Sequence, residues 1–405
     1  MALVSIVRVQ DEDIEGAVRS AAKQAGGLDT LIGRGSTVLI KPNVLRPLES
    51  GTGILTDARV TEAVVKIAKE RNPRRIIIGE GASVGYDFPD FRDTLDAFKM
   101  SGTEDVAQRC GVELIDLNRD QTVEVEIPDA YVMKKFTVAK TALEADVIIS
   151  VPVLKTHVRT AITCSLKNMK GILPGLEKRR THQCGLDRAI VDLNKAVKPH
   201  FTVVDAVNCM EGTWEYPRDR VNLNLVVAGA DPVAVDTTCA RIMRLDPAMV
   251  LHIQLAQEKG LGTADPSQIE VRGLRVEEVA RRFRPYSEVF RSRFGTVTLI
   301  EKDACTGCMG EIYSTFVYLR EAGYDGKLGE LTVIMGRPEE IPKVRGKPLV
   351  VGRCANQYRE IGIFVPGCPP HGTTITDKAC VALDIDQDRV RAAIEELHKI
   401  PPGKG

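Results

Sequence analysis

The stretch DVIISVP at residues 146–152 decides the fold. It is a nearly continuous apolar run rich in Val and Ile, which is typical of a strand buried on both faces of a parallel sheet. Strands of the same or a similar kind are predicted at 3–8, 36–41, 75–79, 112–116, 200–205 and 223–228. Helices are predicted between them at 11–25, 57–71 (with Asp57 as the N-cap), 90–100, 186–197 and 232–243 (with Pro232 in the first turn). This alternation predicts a doubly wound α/β domain with a mostly parallel sheet.

The chain is long enough for more than one domain. The large α/β domain is predicted to cover 1–280, followed by a linker at 281–296. The basic, aromatic stretch at 280–296 is interpreted as a solvated linker helix. Residues 297–405 predict a second, smaller α/β domain. Its predicted strands are 296–301, 331–335, 348–352 and 361–365, and its predicted helices lie near 309–322 and 376–398.

Charge and hydropathy exclude several classes of partner. The 405 residues contain 55 basic and 55 acidic side chains, so the formal net charge is zero and no general affinity for nucleic acid is expected. The first residues are partly acidic where a signal peptide would need a long apolar region. No apolar run approaches the roughly 20 residues that span a bilayer. We therefore expect a cytoplasmic protein with no membrane segment.

Five of the ten cysteines crowd into residues 305–380, and four of these follow predicted strands. Parallel strands would bring the four thiols to one sheet edge, where open α/β folds bind their ligands. Three interpretations are open: incidental thiols, a structural zinc, or an iron–sulfur cluster. Zinc sites of this type usually pair two short Cys-x-x-Cys turns, and this chain has one. The four candidate ligands are Cys305, Cys308, Cys354 and Cys368.

A resemblance favours the cluster among these three. The segments CTGC, GRC and PGCPPHG resemble the cluster-binding half of nickel–iron hydrogenase small subunits and of a small subunit of respiratory NADH–quinone oxidoreductase. The resemblance implies one 4Fe–4S cluster held by those four cysteines in a flavodoxin-like domain. Cys380 has no counterpart in that pattern and is expected to be a core residue. Core burial is also expected for Cys164, Cys184 and Cys209, whose spacings match no ligand pattern.

Polar side chains follow many of the predicted strands of the large domain. At the carboxyl ends of parallel strands such groups would meet in one crevice. The lysines suit a carboxylate or phosphate, and a histidine can act as acid or base near neutral pH. We predict catalytic roles for Lys155 and His157, and substrate-binding roles for Lys41, Asn43, Glu80, Lys167, Asn168, Lys170, Asp205 and Asp236. The alternative is that they are surface residues, helix caps and a hydrogen-bonded loop histidine.

The same segments carry a second resemblance. The motifs KPN at 41–43, IIIGEGAS at 76–83, VPVLKTH at 151–157, SLKNMKG at 165–171 and AGADPVAVD at 228–236 are among those that resemble the family known as domain of unknown function 362. Together the motifs span most of 35–260. The resemblance implies a fold and a site but no reaction. Members of that family are often fused to ferredoxin-type modules, whereas the module here resembles the hydrogenase kind.

Three functions are compatible with these features. The leading hypothesis is a redox enzyme whose cluster exchanges electrons with a small anionic substrate. A redox partner protein would exchange electrons with the cluster. The second is a non-enzymatic electron carrier or assembly factor that docks on a larger oxidoreductase. The third is a ligase-like or transferase enzyme, against which the missing phosphate-binding Walker loop counts. A homodimer is one of the assemblies left open.

Overall fold

A computed structural model describes residues 1–82, 94–215, 217–304, 306–342, 344 and 346–398. The chain divides into two compact units, Met1–Tyr286 and Ser287–Gly405. Each unit has its own sheet and its own core.

The first unit holds twelve strands among its described residues. They are β1 (Ala2–Arg8), β2 (Thr37–Pro42), β3 (Arg75–Glu80), β4 (Glu113–Asp116), β5 (Thr122–Glu126), β6 (Lys135–Ala139), β7 (Val147–Val151), β8 (Val153–His157), β9 (Ala161–Thr163), β10 (Phe201–Met210), β11 (Arg220–Gly229) and β12 (Ile269–Gly273). Its helices are α1 (Ile14–Gln24), α2 (Ala58–Lys69), α3 (Thr94–Met100), α4 (Thr103–Cys110), α5 (Lys140–Glu144), α6 (Ser165–Asn168), α7 (Gly175–Cys184), α8 (Leu186–Ala196), α9 (Pro232–Ile242), α10 (Leu251–Glu258) and α11 (Val276–Val279).

The large sheet has the strand order β12-β1-β11-β10-β7-β2-β3-β4. In addition, β8 pairs with β10, and β9 pairs with β8. Most neighbouring pairs are parallel, which confirms the predicted α/β class. Alternate residues of each strand face opposite sides. Val38 and Ile40 pack with α1 and α2, whereas Leu39 faces the core that contains Leu193 of α8. Because both faces are covered, the central strands are apolar throughout.

Helix ends agree with their predicted caps. The Asp57 carboxylate accepts a hydrogen bond from the backbone of Arg59 at the start of α2. Asp231 caps α9 in the same way, with Pro232 in the first turn. Each cap satisfies backbone N–H groups that have no partner within the helix, typically worth about 1 kcal/mol. The predicted helix at 90–100 is described only as α3, since 83–93 lie outside the described residues.

Two strands correct the sequence interpretation of the crevice. Lys155 and His157 were predicted to lie in a loop, but they belong to β8, which pairs with β10 and β9 beyond the break at Pro152. The predicted strand at 223–228 is present as β11, but it runs antiparallel to both neighbours. Its far end, with Asp231, therefore lies at the sheet edge opposite the other predicted site residues.

The second unit contains a four-stranded, wholly parallel sheet. Its strands, in spatial as well as chain order, are β13 (Thr298–Lys302), β14 (Thr332–Gly336), β15 (Leu349–Val351) and β16 (Ile363–Val365). Its helices are α13 (Thr306–Glu321), α14 (Gly372–Leu383) and α15 (Gln387–His398), and α12 (Tyr286–Phe294) spans the boundary between the units. The single helix predicted at 376–398 is wrong, because Asp384 adopts a left-handed conformation that ends α14.

The prediction of a solvated helix at 280–296 is also wrong. Phe290 and Phe294 of α12 are buried and lie within 6.3 Å, ring centroid to ring centroid, of Tyr313 and Phe316 of α13. The arginines of this stretch led to the prediction of an exposed linker. Its aromatic side chains instead belong to the core of the second unit. No helix in the described part of the chain is long and apolar enough to cross a bilayer.

Candidate functional site

Lys41, Glu80 and Asn168 form a closed network beneath the carboxyl edge of the large sheet. The Lys41 ammonium lies 2.7 Å from Glu80 Oε2 and 3.2 Å from Asn168 Oδ1. Asn168 in turn donates to the Lys41 carbonyl and to Ser150 Oγ. Burial lowers the pKa of Lys41, and the Glu80 carboxylate opposes this. Because its members satisfy one another, the network joins β2, β3 and α6 and holds the floor of the site.

Lys155 is buried beside this network and has no ion pair among the described residues. Its ammonium donates to Asn43 Oδ1 at 2.7 Å and to the Ile54 carbonyl at 2.6 Å. The same nitrogen lies 4.5 Å from the centroid of the Trp214 ring. Burial lowers the pKa of Lys155 well below its usual range, and the charge of Lys167 acts in the same direction. A lysine in this environment can exchange a proton far more readily than an exposed one.

Trp214 connects Lys155 with His157. Its ring centroid lies 6.0 Å from that of His157, and its indole N–H donates to the Thr156 carbonyl at 2.8 Å. The backbone of Trp214 has a φ of +62°, a conformation that a bulky side chain rarely adopts. Such strained residues persist where the surrounding structure holds them, and they are frequent at functional sites.

His157 is buried, and the predicted basic residues surround it. Burial lowers the pKa of His157 well below its usual value, followed by the charges of Lys167, His182, Lys170 and Lys155. Burial likewise lowers the pKa of Lys167 to about 8. The Lys170 ammonium lies 2.6 Å from Nε2 of His182 on α7. We call Lys155, His157, Lys167, Lys170 and His182 the basic cluster.

The two predicted aspartates, Asp205 and Asp236, accept hydrogen bonds from backbone amides and not from the side chains of the basic cluster. Asp205 accepts from the backbone amides of Asp57 and Val207, and burial raises its pKa to about 7, with the Asp57 carboxylate adding to the shift. Asp236 accepts from the amides of Ser165 and Leu166, at the start of α6. Both carboxylates thus anchor backbone, and Asp236 positions the short helix that carries Lys167.

Two open cavities of about 480 and 510 Å³ lie elsewhere on the first unit. They are lined by residues before β1, β7 and β10 and after β11, including Met1, His200 and Ala230. This is the edge where the parallel strands begin. The basic cluster lies at the other edge and is distinguished by buried charge, a stronger sign of function than open volume.

Sequence reasoning missed His182 and Trp214. Nothing in the spacing of His182 links it to a strand end, since α7 brings it to Lys170 from twelve residues along the chain. Trp214 offered a signal, because it is the only tryptophan and lies between the polar ends of two strands.

In the second unit, three of the four predicted cysteine ligands are described. Cys308 lies in α13 just after β13, Cys354 follows β15, and Cys368 follows β16, all on the carboxyl side of parallel strands. Cys308 is buried, Cys368 half-buried and Cys354 exposed. Cys305 lies outside the described residues.

Gly352 shows how closely these segments approach. A methyl group at Gly352 would lie 3.1 Å from Cys308 Sγ, 3.8 Å from the Gly367 carbonyl and 4.0 Å from the Pro370 ring. The amide after Gly352 also donates to the Gly367 carbonyl at 2.8 Å. The backbones that carry three candidate thiols therefore meet at one place.

No three His, Cys, Asp or Glu side chains are grouped as a metal site within the described residues, which omit Cys305. Three thiols that follow three parallel strands nevertheless share one edge, and Gly352 leaves room beside Cys308 Sγ, so the residues are of the donor type that a cluster would need. Other thiols behave differently. Cys164, Cys209 and Cys380 are buried, as expected, whereas Cys184 is exposed and its predicted burial is wrong.

Residues 38–241 match the family described as Domain of unknown function (DUF362). This chain belongs to that family. The matched range contains most of β2, the basic cluster and most of α9, so the site of the first unit lies within the matched residues.

Two further proteins are similar to this chain. The chain is 25% identical over 267 residues to the thylakoid-associated protein sll1697 of Synechocystis, covering 64% of this chain and 79% of that protein. It also matches the lactate racemase apoprotein from Thermoanaerobacterium thermosaccharolyticum, with 16% identity and a TM-score of 0.42. That match covers 60% of this chain and 58% of the racemase chain, less than two thirds of its length.

Proposed function

We propose that this protein is an iron–sulfur redox enzyme that moves electrons between a 4Fe–4S cluster in its second unit and a small anionic substrate at the basic cluster of its first unit. The observation that carries the anionic part is that the ammonium groups of Lys155 and Lys167 form hydrogen bonds but no ion pair among the described residues. The described carboxylates that act on Lys155 and Lys167 are Glu80 and Asp187. Glu80 is already paired with Lys41.

A bound anion would supply the missing negative charge. Lys167 and Lys170 would bind its oxygens, because ammonium groups form strong charge-assisted hydrogen bonds with carboxylate or phosphate. Lys155 and His157 both lie near the Trp214 ring and both have lowered pKa values. They are therefore suited to give or take a proton at the substrate while its charge changes.

The meeting of the cysteine segments supports the redox part. Cys308, Cys354, Cys368 and Cys305 would hold the cluster, and when bound it would supply electrons one at a time. Glycines beside the thiols would let backbone amides approach the sulfurs, which tunes the potential of such sites. A redox partner protein would deliver or accept the electrons.

Iron and acid-labile sulfide in anaerobically purified protein test this proposal. We expect about four of each per chain, and loss of both in Cys354→Ala. Cys184→Ala is the matched control, because Cys184 is an exposed thiol of the first unit. Zinc without sulfide, or full iron content in Cys354→Ala, would refute the redox proposal.

One observation favours the second candidate, a carrier or assembly factor without a substrate. Cys354 is exposed, as expected for a cluster that exchanges electrons directly with another protein. The two functions differ at the basic cluster. A carrier would bind no small anion there, and Lys167→Gln would leave its electron exchange unchanged.

A further inference from the structure

The hydrogen bonds of His182 determine which of its nitrogens carries the proton. Its Nε2 lies 2.6 Å from the Lys170 ammonium, and an ammonium can only donate. Nε2 is therefore the acceptor, and the neutral ring carries its proton on Nδ1. That atom is buried and has no hydrogen-bond partner among the described residues. A buried donor without an acceptor destabilises the fold unless a ligand or water accepts its hydrogen bond.

His157 has the opposite tautomer. Its Nδ1 lies 3.3 Å from the backbone amides of Arg159 and Thr160, which can only donate. The proton of the neutral ring is therefore on Nε2, which has no partner in the described part of the chain. Burial keeps both rings neutral by lowering their pKa values. Each histidine thus presents one N–H donor.

Two cations add further donors. Lys167 donates to Thr163 Oγ1 at 3.2 Å and keeps other protons for a ligand. Arg159 is exposed, and its guanidinium has no ion pair or hydrogen bond with the described residues. Its charge acts on His182, and those of Lys167 and His182 act on His157, so these groups lie within electrostatic range of one another. The carboxylate that raises the pKa of Lys167 is that of Asp187. Asp187 Oδ1 already lies 3.2 Å from His252 Nδ1.

We infer that the basic cluster, together with Arg159, binds a phosphoryl group that carries two negative charges. This inference rests on the proposed function and names the class of its anionic substrate. Two imidazole N–H groups, the remaining protons of Lys167 and the five-donor fork of Arg159 exceed the roughly four lone-pair positions of one carboxylate. A phosphate monoester offers three acceptor oxygens and a charge of about −1.5 to −2. Side-chain donors would here replace the glycine-rich loop that many phosphate sites use.

Calorimetric titration of the anaerobically purified full chain tests the inference, with inorganic phosphate and acetate compared at equal ionic strength. Phosphate is expected to bind at least about tenfold more tightly, since its greater charge and third acceptor oxygen allow additional charge-assisted hydrogen bonds. Arg159→Gln should weaken the binding of phosphate by a similar factor. Arg188→Gln is the matched control, because it removes the same charge from an exposed position on α8. The unfolding midpoint without ligand shows that each variant is folded.

Each outcome separates the two levels of the proposal. Selective phosphate binding that is lost in Arg159→Gln but kept in Arg188→Gln supports the inference. Equal affinity for acetate and phosphate overturns the phosphoryl class and leaves an anionic substrate standing. Equal weakening in both variants overturns the location, because only general electrostatics would then be at work. Binding of neither anion overturns the inference and the anionic-substrate part of the proposed function, while the iron and sulfide content tests the cluster independently.

Discussion

The buried pair Lys41–Glu80 gives a sharp test of how the floor of the site is built. Its charged atoms lie 2.7 Å apart, and the two side chains are 0% and 3% exposed. Glu80→Gln keeps the side-chain shape but leaves the Lys41 charge buried without a counterion. Removing one partner of such a pair typically costs about 3–5 kcal/mol. Adding Lys41→Met removes the orphaned charge, so the double variant is expected to recover about 1–3 kcal/mol of that loss.

Urea unfolding followed by tryptophan fluorescence measures these differences in the first unit, because the only tryptophan, Trp214, belongs to it. Glu124→Gln is the matched control. Glu124 pairs with Lys135 at 2.8 Å, but their side chains are 63% and 51% exposed. Exposed pairs contribute about 0–1 kcal/mol. If Glu80→Gln destabilises the unit no more than Glu124→Gln does, the network is not the floor that we describe.

Three other predictions address single residues. The pKa of Asp205 in the folded protein is raised to about 7, so its contribution to stability is fully present below about pH 4 and lost as the pH rises through 7. The decrease in the free energy of unfolding between pH 5 and pH 8 should therefore be smaller in Asp205→Asn, and an equal decrease in the variant would contradict this. Gly352→Ala should lower the iron content, because its methyl group would lie 3.1 Å from Cys308 Sγ, whereas Gly346→Ala, also at positive φ but with open space, should not. Phosphate affinity should fall about tenfold between pH 7 and 9 as Lys167, with a pKa of about 8, loses its proton; a similar fall in Lys167→Met would assign the titration to another group.

The parallel strands were predictable because burial on both faces leaves a direct record in the sequence. The stretch 146–152 is apolar because β7 pairs with the parallel strands β2 and β10 and its alternate residues lie in two different cores, one on each face of the sheet. Strand direction leaves no such record. The apolar run at 223–228 reads like the others, yet β11 is antiparallel, and only the pairing register places Asp231 at the far edge.

Polar strands and long-range contacts account for what was missed at the site. Lys155 and His157 lie on β8, where function requires polar groups and the apolar strand pattern is absent. Lys41 and Asn168 were predicted to contact substrate, but they bind each other across 127 positions of sequence separation. Contacts of this kind depend on the complete fold and cannot be inferred from local pattern.

The electron paramagnetic resonance spectrum of the dithionite-reduced full chain tests the central claim most directly. The account predicts a signal that is absent before reduction, arises from a 4Fe–4S cluster, disappears in Cys368→Ala and persists in Cys184→Ala. A protein that contains zinc and gives no signal on reduction would contradict it. The first unit alone would then have to account for any chemistry.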